Sequence, residues 1–351
     1  MTAPIYLDYN ATTPIAPEVA QAIRPFLFER FGNPSSSHAF GRDAADALAA
    51  ARHQVARLIG ALDDEIVFTG NATEANNLAV LGAARAVSRL HPERRRIVIS
   101  AIEHPAVAEP VNHLVSQGWL RTMLPVDGNG KVDVPSVMRA LGPDTALLSV
   151  MHANNEVGTM QPVAEIAAHA RALGICVHTD AAQSVGKVDV DVQTLGVDLL
   201  SIAGHKLYAP KGVGALYVRR GTPIENVVFG AGQERGLRPG TENVALAVGL
   251  GAAADLAGRT LVEFQKQMRR QRDSLHQHLM AAVPGLRLNG HPDDRLPNTL
   301  NVSFPGVDGA RLLAAAGEVA ASTGSACHVR PISAPRLGHL RKKHPWRQAR
   351  H

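Results

Sequence analysis

Six short runs rich in β-branched and large apolar residues recur along the chain: EIVFT (65–69), RIVIS (96–100), ALLSV (146–150), ICVHT (175–179), DLLSI (198–202) and GALYV (214–218). They read as strands. Between several of them lie stretches with helical period, such as EANNLAVLGAARAVSRL and PVAEIAAHARALG, the second closed by Gly174 as a helix stop. Strands and helices alternating at this spacing predict an α/β fold, a mainly parallel sheet covered by helices on both faces.

Polar residues fall just past the carboxyl ends of the strands. Asn71 and Thr73 follow the first run, His104 the second, Asn154 and Asn155 the third, Asp180 and Gln183 the fourth, and His205 and Lys206 the fifth. Ligands of open α/β sheets bind at that edge, so five strand ends are expected to furnish one site. Past residue 254 the pattern changes to a long charged amphipathic helix, TLVEFQKQMRRQRDSLHQHLMAAV, and then to PNTLNVSFPGVDGARLLAAAG, a strand followed by a helix. A large domain over 16–254 is expected, with 1–15 and 255–328 in a smaller one; YLDYNATTP, ahead of the first long helix, could pack near either.

Composition bounds the partners. The chain has 351 residues, 45% hydrophobic, with a formal net charge of +5. Residues 328–351 carry seven Lys and Arg and no acid, which leaves 29 bases against 31 acids elsewhere. The basicity belongs to this tail rather than to a nucleic-acid surface on the body, and the tail lacks interleaved aromatics beyond Trp346. With no leader-like start and no uninterrupted apolar run near the ~18 residues of a span, a cytoplasmic protein without direct membrane or nucleic-acid partners is expected. Two distant cysteines, Cys176 and Cys327, suit a reducing compartment.

In GHKLYAPKGVG, Lys206 stands immediately behind a strand. A lysine partly desolvated at a sheet edge is a candidate Schiff-base nucleophile, since burial disfavours its ammonium; equally, it could pair with a nearby acid. Pyridoxal phosphate needs such an amine, an acid for its pyridine nitrogen, donors for its phosphate and a group against its ring. Asp180, at the end of ICVHT, could be that acid or a helix cap. TGNATEANN sets Asn71, Ala72 and Thr73 at a helix start, where free amides attract phosphate but where Asn and Thr also cap helices routinely. His104 in EHPA could cover the ring or be structural.

Ten motifs in order, YLDYNATTP, FGNPSSSH, TGNATEANN, EHPAV, NNEVGTMQP, DAAQSVGK, GHKLYAPKGVG, GQERGLRPGTENV, PNTLNVSF and STGSACH, resemble those of cysteine desulfurases of the NifS/IscS kind, in the class V aminotransferase superfamily. The resemblance covers residues 5–328. It implies the fold of type I pyridoxal-phosphate enzymes, with a mainly parallel seven-stranded sheet in the large domain and a smaller α+β domain. By this resemblance Lys206 would bond covalently to pyridoxal 5'-phosphate, Asp180 would keep the pyridine nitrogen protonated, and Gln183 would bond the ring hydroxyl. His104 would stack on the ring and assist proton transfer, Thr73 and His205 would hold the phosphate with Asn71 and Ala72, and Asn155 would lie near ring and substrate carboxylate.

Thr241 would reach the phosphate of a neighbouring subunit, which implies a homodimer. The substrate would be L-cysteine; Cys327, as thiolate in its small-residue loop, would take the sulfur as a persulfide, leaving alanine. The acceptor would be an iron–sulfur scaffold or a transfer-RNA thiolation enzyme. Cys176, inside a strand-like run, reads as a small hydrophobe. Two positions depart from the family. Ala203 stands where many relatives carry a phosphate-binding serine, so one donor is lost and other groups are expected to compensate. Residues 329–351 form an atypical basic tail, expected to be truncated or read out of frame, and offer no match for the arginine that clamps the substrate carboxylate. A selenocysteine lyase or related lyase, and a catalytically impaired cofactor-binding homologue, stand as alternatives.

Overall fold

The computed structural model describes residues 3–324. In chain order its strands are β1 (Ile5–Tyr6), β2 (Ile66–Thr69), β3 (Arg96–Ser100), β4 (Leu120–Leu124), β5 (Thr145–Ser149), β6 (Cys176–Asp180), β7 (Leu199–Ala203), β8 (Gly214–Val218), β9 (Arg287–Leu288), β10 (Val302–Ser303) and β11 (Val319–Ala320). Seven of them form one sheet in the order β2-β8-β7-β6-β5-β3-β4. All neighbours run parallel except β8, which is antiparallel to both β2 and β7.

A parallel sheet must bury both faces, and the side chains divide accordingly. Val98, Leu148, Val177 and Leu200 face one apolar cluster, while Ile97, Leu147, Cys176 and Leu199 face the other. Cys176 is buried among these side chains, which pushes its thiol well above the ordinary range. Several strands are shifted by one residue from the apolar runs in the sequence. Asp180 and Ala203 are thereby the last residues of β6 and β7, paired with Ser201 and Gly214 in the ladder. The strand absent from the apolar runs is β4. Among the described residues it pairs only with β3, and it keeps Leu120, Arg121 and Met123 exposed, so as an edge strand it needs no continuous apolar run.

The helix Val244–Ala282 continues across residues 254 and 255. Its first half buries Val244, Ala247, Leu250, Ala253 and Ala254 and packs against the helices Ala39–Leu58 and Pro17–Phe28. By length and composition this helix could cross a membrane, although Asp255 and Arg259 interrupt its apolar run; its place in the core accounts for that apolarity. Outside the main sheet, β1 pairs in parallel with β11, and β9 pairs antiparallel with β10.

Candidate active site

Five strand ends and the N-terminal loop meet around a cavity of about 1300 Å³ at the carboxyl edge of the sheet. After β2 the chain turns at Gly70, and Asn71 caps the short helix Ala72–Asn77 by accepting from the Glu74 amide at 2.9 Å. The first intrahelical bond is that of the Ala75 amide to the Asn71 carbonyl, so the Ala72 and Thr73 amides lie outside the helix ladder. This loop sits hard against the start of β8: a Cβ on Gly214 would fall 2.7 Å from the Asn71 carbonyl carbon and 2.9 Å from the Ala72 nitrogen. Only glycine allows that approach.

After β3, His104 caps the helix Pro105–Ser116, its Nδ1 accepting from the Ala106 amide at 3.0 Å, which fixes the ring at the cavity wall. After β5, Asn154 spends its side-chain oxygen on the Glu156 and Val157 amides, while Asn155 lines the cavity. At the end of β6 the buried Asp180 accepts from Asn76 Nδ2 at 2.7 Å and from the Ala182 amide at 2.9 Å. It therefore closes a local turn and still faces the cavity. Gln183 Nε2 donates to the Asn10 carbonyl at 3.0 Å.

Beyond β7, the turn Gly204–Lys206 carries His205 and Lys206 into the cavity. Lys206 Nζ donates to the Ala11 carbonyl at 2.8 Å and also to the Asn10 carbonyl. His205 Nδ1 lies 3.2 Å from Thr12 Oγ1; burial, and then the charge of Lys206, Lys211 and Lys187, lowers its pKa to about 4, so the ring is neutral at pH 7. Ala203 lines the cavity without a donor, whereas the Ser201 hydroxyl is 3.0 Å from His178 Nε2. Thr241 is exposed and does not line this cavity. Ala321, Ser322, Thr323 and Gly324 do line it, so the chain reaches the cavity three residues before Cys327. Cys327 itself lies outside the described residues.

These side chains fit pyridoxal phosphate in kind. An amine and a buried carboxylate line one cavity, which is also lined by the 71–73 loop, with its amides outside the helix ladder and its glycine-dependent approach to β8. Among the described residues no cluster of metal-ligating side chains was found.

The family model of the class-V aminotransferases matches residues 5–342. A cysteine desulfurase IscS from Dictyoglomus turgidum is 47% identical over 332 residues, covering 93% of this chain and 83% of that one. The chain belongs to the NifS/IscS cysteine desulfurases of the class-V aminotransferase family. Among solved structures, a NifS-like protein superimposes with a TM-score of 0.83 at 38% identity, over 90% of this chain and 86% of that one. A structure described as SspA in complex with cysteine gives 0.81 at 36% identity, over 92% and 90%. Members of this family are enzymes, and its type I fold is the one described above.

Several groups at the site carry no signal of their own in the sequence. Asn76 is fully buried inside a helix, and nothing but the fold aims it at Asp180. Asn10 is drawn in from far along the chain, donating to Thr299 Oγ1 at 2.9 Å and accepting from Asn298 Nδ2 at 3.1 Å. Lys187 stands inside the motif DAAQSVGK, where its spacing of four from Gln183 was the available hint.

Proposed function

We propose that this chain is a pyridoxal-phosphate-dependent enzyme that removes sulfur from L-cysteine, giving alanine and a persulfide on Cys327. The observation that carries this reading is the presence of Lys206 and the buried Asp180 in one cavity at the carboxyl edge of the sheet. Family membership supports it, as does the cysteine complex of the SspA structure. When bound, the cofactor supplies an electron sink that eases removal of the proton from the amino-acid Cα.

In this reading Lys206 would hold the cofactor, and its amine would move the Cα proton. Asp180, oriented by Asn76 and the Ala182 amide, would hold a proton on the pyridine nitrogen. Gln183 would donate to the ring hydroxyl, and His104 would cover the ring. The 71–73 loop, with Thr73, and neutral His205 would bind the phosphate. Asn155 orients the substrate carboxylate. The Cys327 thiolate would bond the substrate sulfur as the Cβ–S bond breaks; the bonding pair would pass to Cβ, which would take up a proton, so that the persulfide stays on Cys327 and alanine remains.

We further propose a homodimer in which Thr241, exposed on this chain, reaches the neighbouring subunit's phosphate. A cytoplasmic location and a protein sulfur acceptor, an iron–sulfur scaffold or a transfer-RNA thiolation enzyme, complete the proposal. So does the division into a large unit, 16–254, and a small one, 1–15 with 255–328. Support for that division comes from β1 pairing with β11, which joins the two ends of the described chain. No observation favours the selenocysteine-lyase or impaired-homologue alternatives.

The test is spectroscopic. Purified protein given pyridoxal phosphate should show the visible absorbance of a lysine-bound cofactor, and Lys206→Ala should abolish it. A wild-type protein that stays colourless would sink the cofactor assignment.

A further inference from the structure

Lys187 has no part in the chemistry above, yet it is 3% exposed and lines the cavity. It follows Gly186, whose φ of +74° and whose closeness to Leu207 reserve that position for glycine. Among the described residues its Nζ makes one hydrogen bond, to Gln183 Oε1 at 2.9 Å, and no carboxylate offsets its charge. Lysine is seldom buried without a counter-charge, since removing an ammonium from water is costly.

The two ends of the Gln183 amide are not equivalent. An ammonium only donates and a carbonyl only accepts. With Lys187 at one end and the Asn10 carbonyl, 3.0 Å from Nε2, at the other, one orientation satisfies both neighbours and the flipped one satisfies neither. Nε2 carries a second N–H. The same Asn10 carbonyl accepts from Lys206, so an unbroken set of hydrogen bonds runs from Lys187 through Gln183 and Asn10 to Lys206.

We propose that Lys187, as its ammonium, is a positioning residue that locks the Gln183 amide with its N–H groups toward Asn10 and the cavity, so that a hydrogen bond is offered to the cofactor's ring hydroxyl. The identity of that ligand rests on the functional reading above; the locking of the amide does not. Burial, and then the charge of Lys206, lowers the pKa of Lys187 to about 7. His205 also feels its charge, so Lys206 and His205 are the titratable neighbours to consider.

The test compares wild type with Lys187→Met, which keeps the stem and removes the donor, with Gln183→Ala, and with the double variant. In apoprotein labelled with 15N in glutamine side chains, the Gln183 amide signal, identified by its loss in Gln183→Ala, should move as pH passes about 7 in wild type and stay still in Lys187→Met. In holoprotein, Lys187→Met should weaken pyridoxal-phosphate binding about tenfold, the size of one buried hydrogen bond, and the double variant should bind no more weakly than Gln183→Ala alone. Gln183→Glu, which loses the N–H, should bind the cofactor as weakly as Gln183→Ala; if Lys187→Met folds poorly, Lys187→Leu, which also lacks the donor, takes its place in both measurements. An amide signal that titrates identically in wild type and Lys187→Met, or additive losses in the double variant, would overturn the proposal. Absence of cofactor binding in wild type would instead overturn the functional reading, and the apoprotein signal would still decide the role of Lys187.

Discussion

Glu103 and His104 are neighbours at the end of β3 with opposite fates. The His104 ring stands at the cavity, whereas the Glu103 carboxyl turns inward, where Oε1 accepts from Ser100 Oγ at 2.5 Å and from the Met151 amide at 2.8 Å. Its Oε2 is buried without a hydrogen-bond partner among the described residues. Part of the residue stays exposed, but the enclosed carboxyl is pushed up to about 8, by burial first and also by the charge of Asp180. The folded state therefore keeps a proton that the unfolded chain releases near its ordinary pKa of 4.5. The stability from this group is complete below that value and is lost as pH rises through about 8. Glu103→Gln stays neutral throughout. Urea unfolding of apoprotein at pH 5 and pH 9 should show the variant gaining about 2 kcal/mol on wild type at the higher pH; an unchanged gap would refute the buried acid. At this scale the motifs made His104 visible, since it stands beyond an apolar run. Glu103 was invisible as a buried acid, because a carboxylate in a strand-end motif carries no mark of which way it turns.

Strands buried on both faces were legible as apolar runs, for each contributes to the clusters above and below the sheet. β4 was not, because one flank and most of its side chains meet solvent. The pairing of β1 with β11 was equally hidden, since two-residue strands carry no period and their partners lie at opposite ends of the chain. One polar residue inside the sheet gives a test at this level. His178 on β6 spans its neighbours, with Nδ1 2.8 Å from Ser149 Oγ on β5 and Nε2 3.0 Å from Ser201 Oγ on β7. Neutral imidazole satisfies both hydroxyls, and burial lowers its pKa to about 4. The unfolded chain binds the proton first, near 6.5, so stability is lost as pH falls from there toward 4. Buried His152, also lowered to about 4, adds to the same loss. His178→Gln should make the fall between pH 6.5 and pH 5 shallower by about 1–2 kcal/mol, read from urea midpoints; a slope equal to wild type would count against the neutral bridge.

Across the whole molecule, the site collects residues that are remote in sequence onto one sheet edge. Strand-end positions were legible because the α/β pattern alone says where ligands bind. The N-terminal loop was not, and yet Asn10 and Ala11 supply the carbonyls that Lys206 meets. The opposite end of the described chain, Ala321 to Gly324, lines the same cavity, three residues before Cys327 in the sequence. The most direct measurement is product formation from L-cysteine and a thiol reductant by holoprotein, wild type against Cys327→Ala. Wild type should release alanine and sulfide in equal amounts, and Cys327→Ala should keep the visible absorbance while its alanine production falls at least about 100-fold. Alanine formed by Cys327→Ala at the wild-type rate, or none formed by a wild type that holds its cofactor, would contradict the assignment.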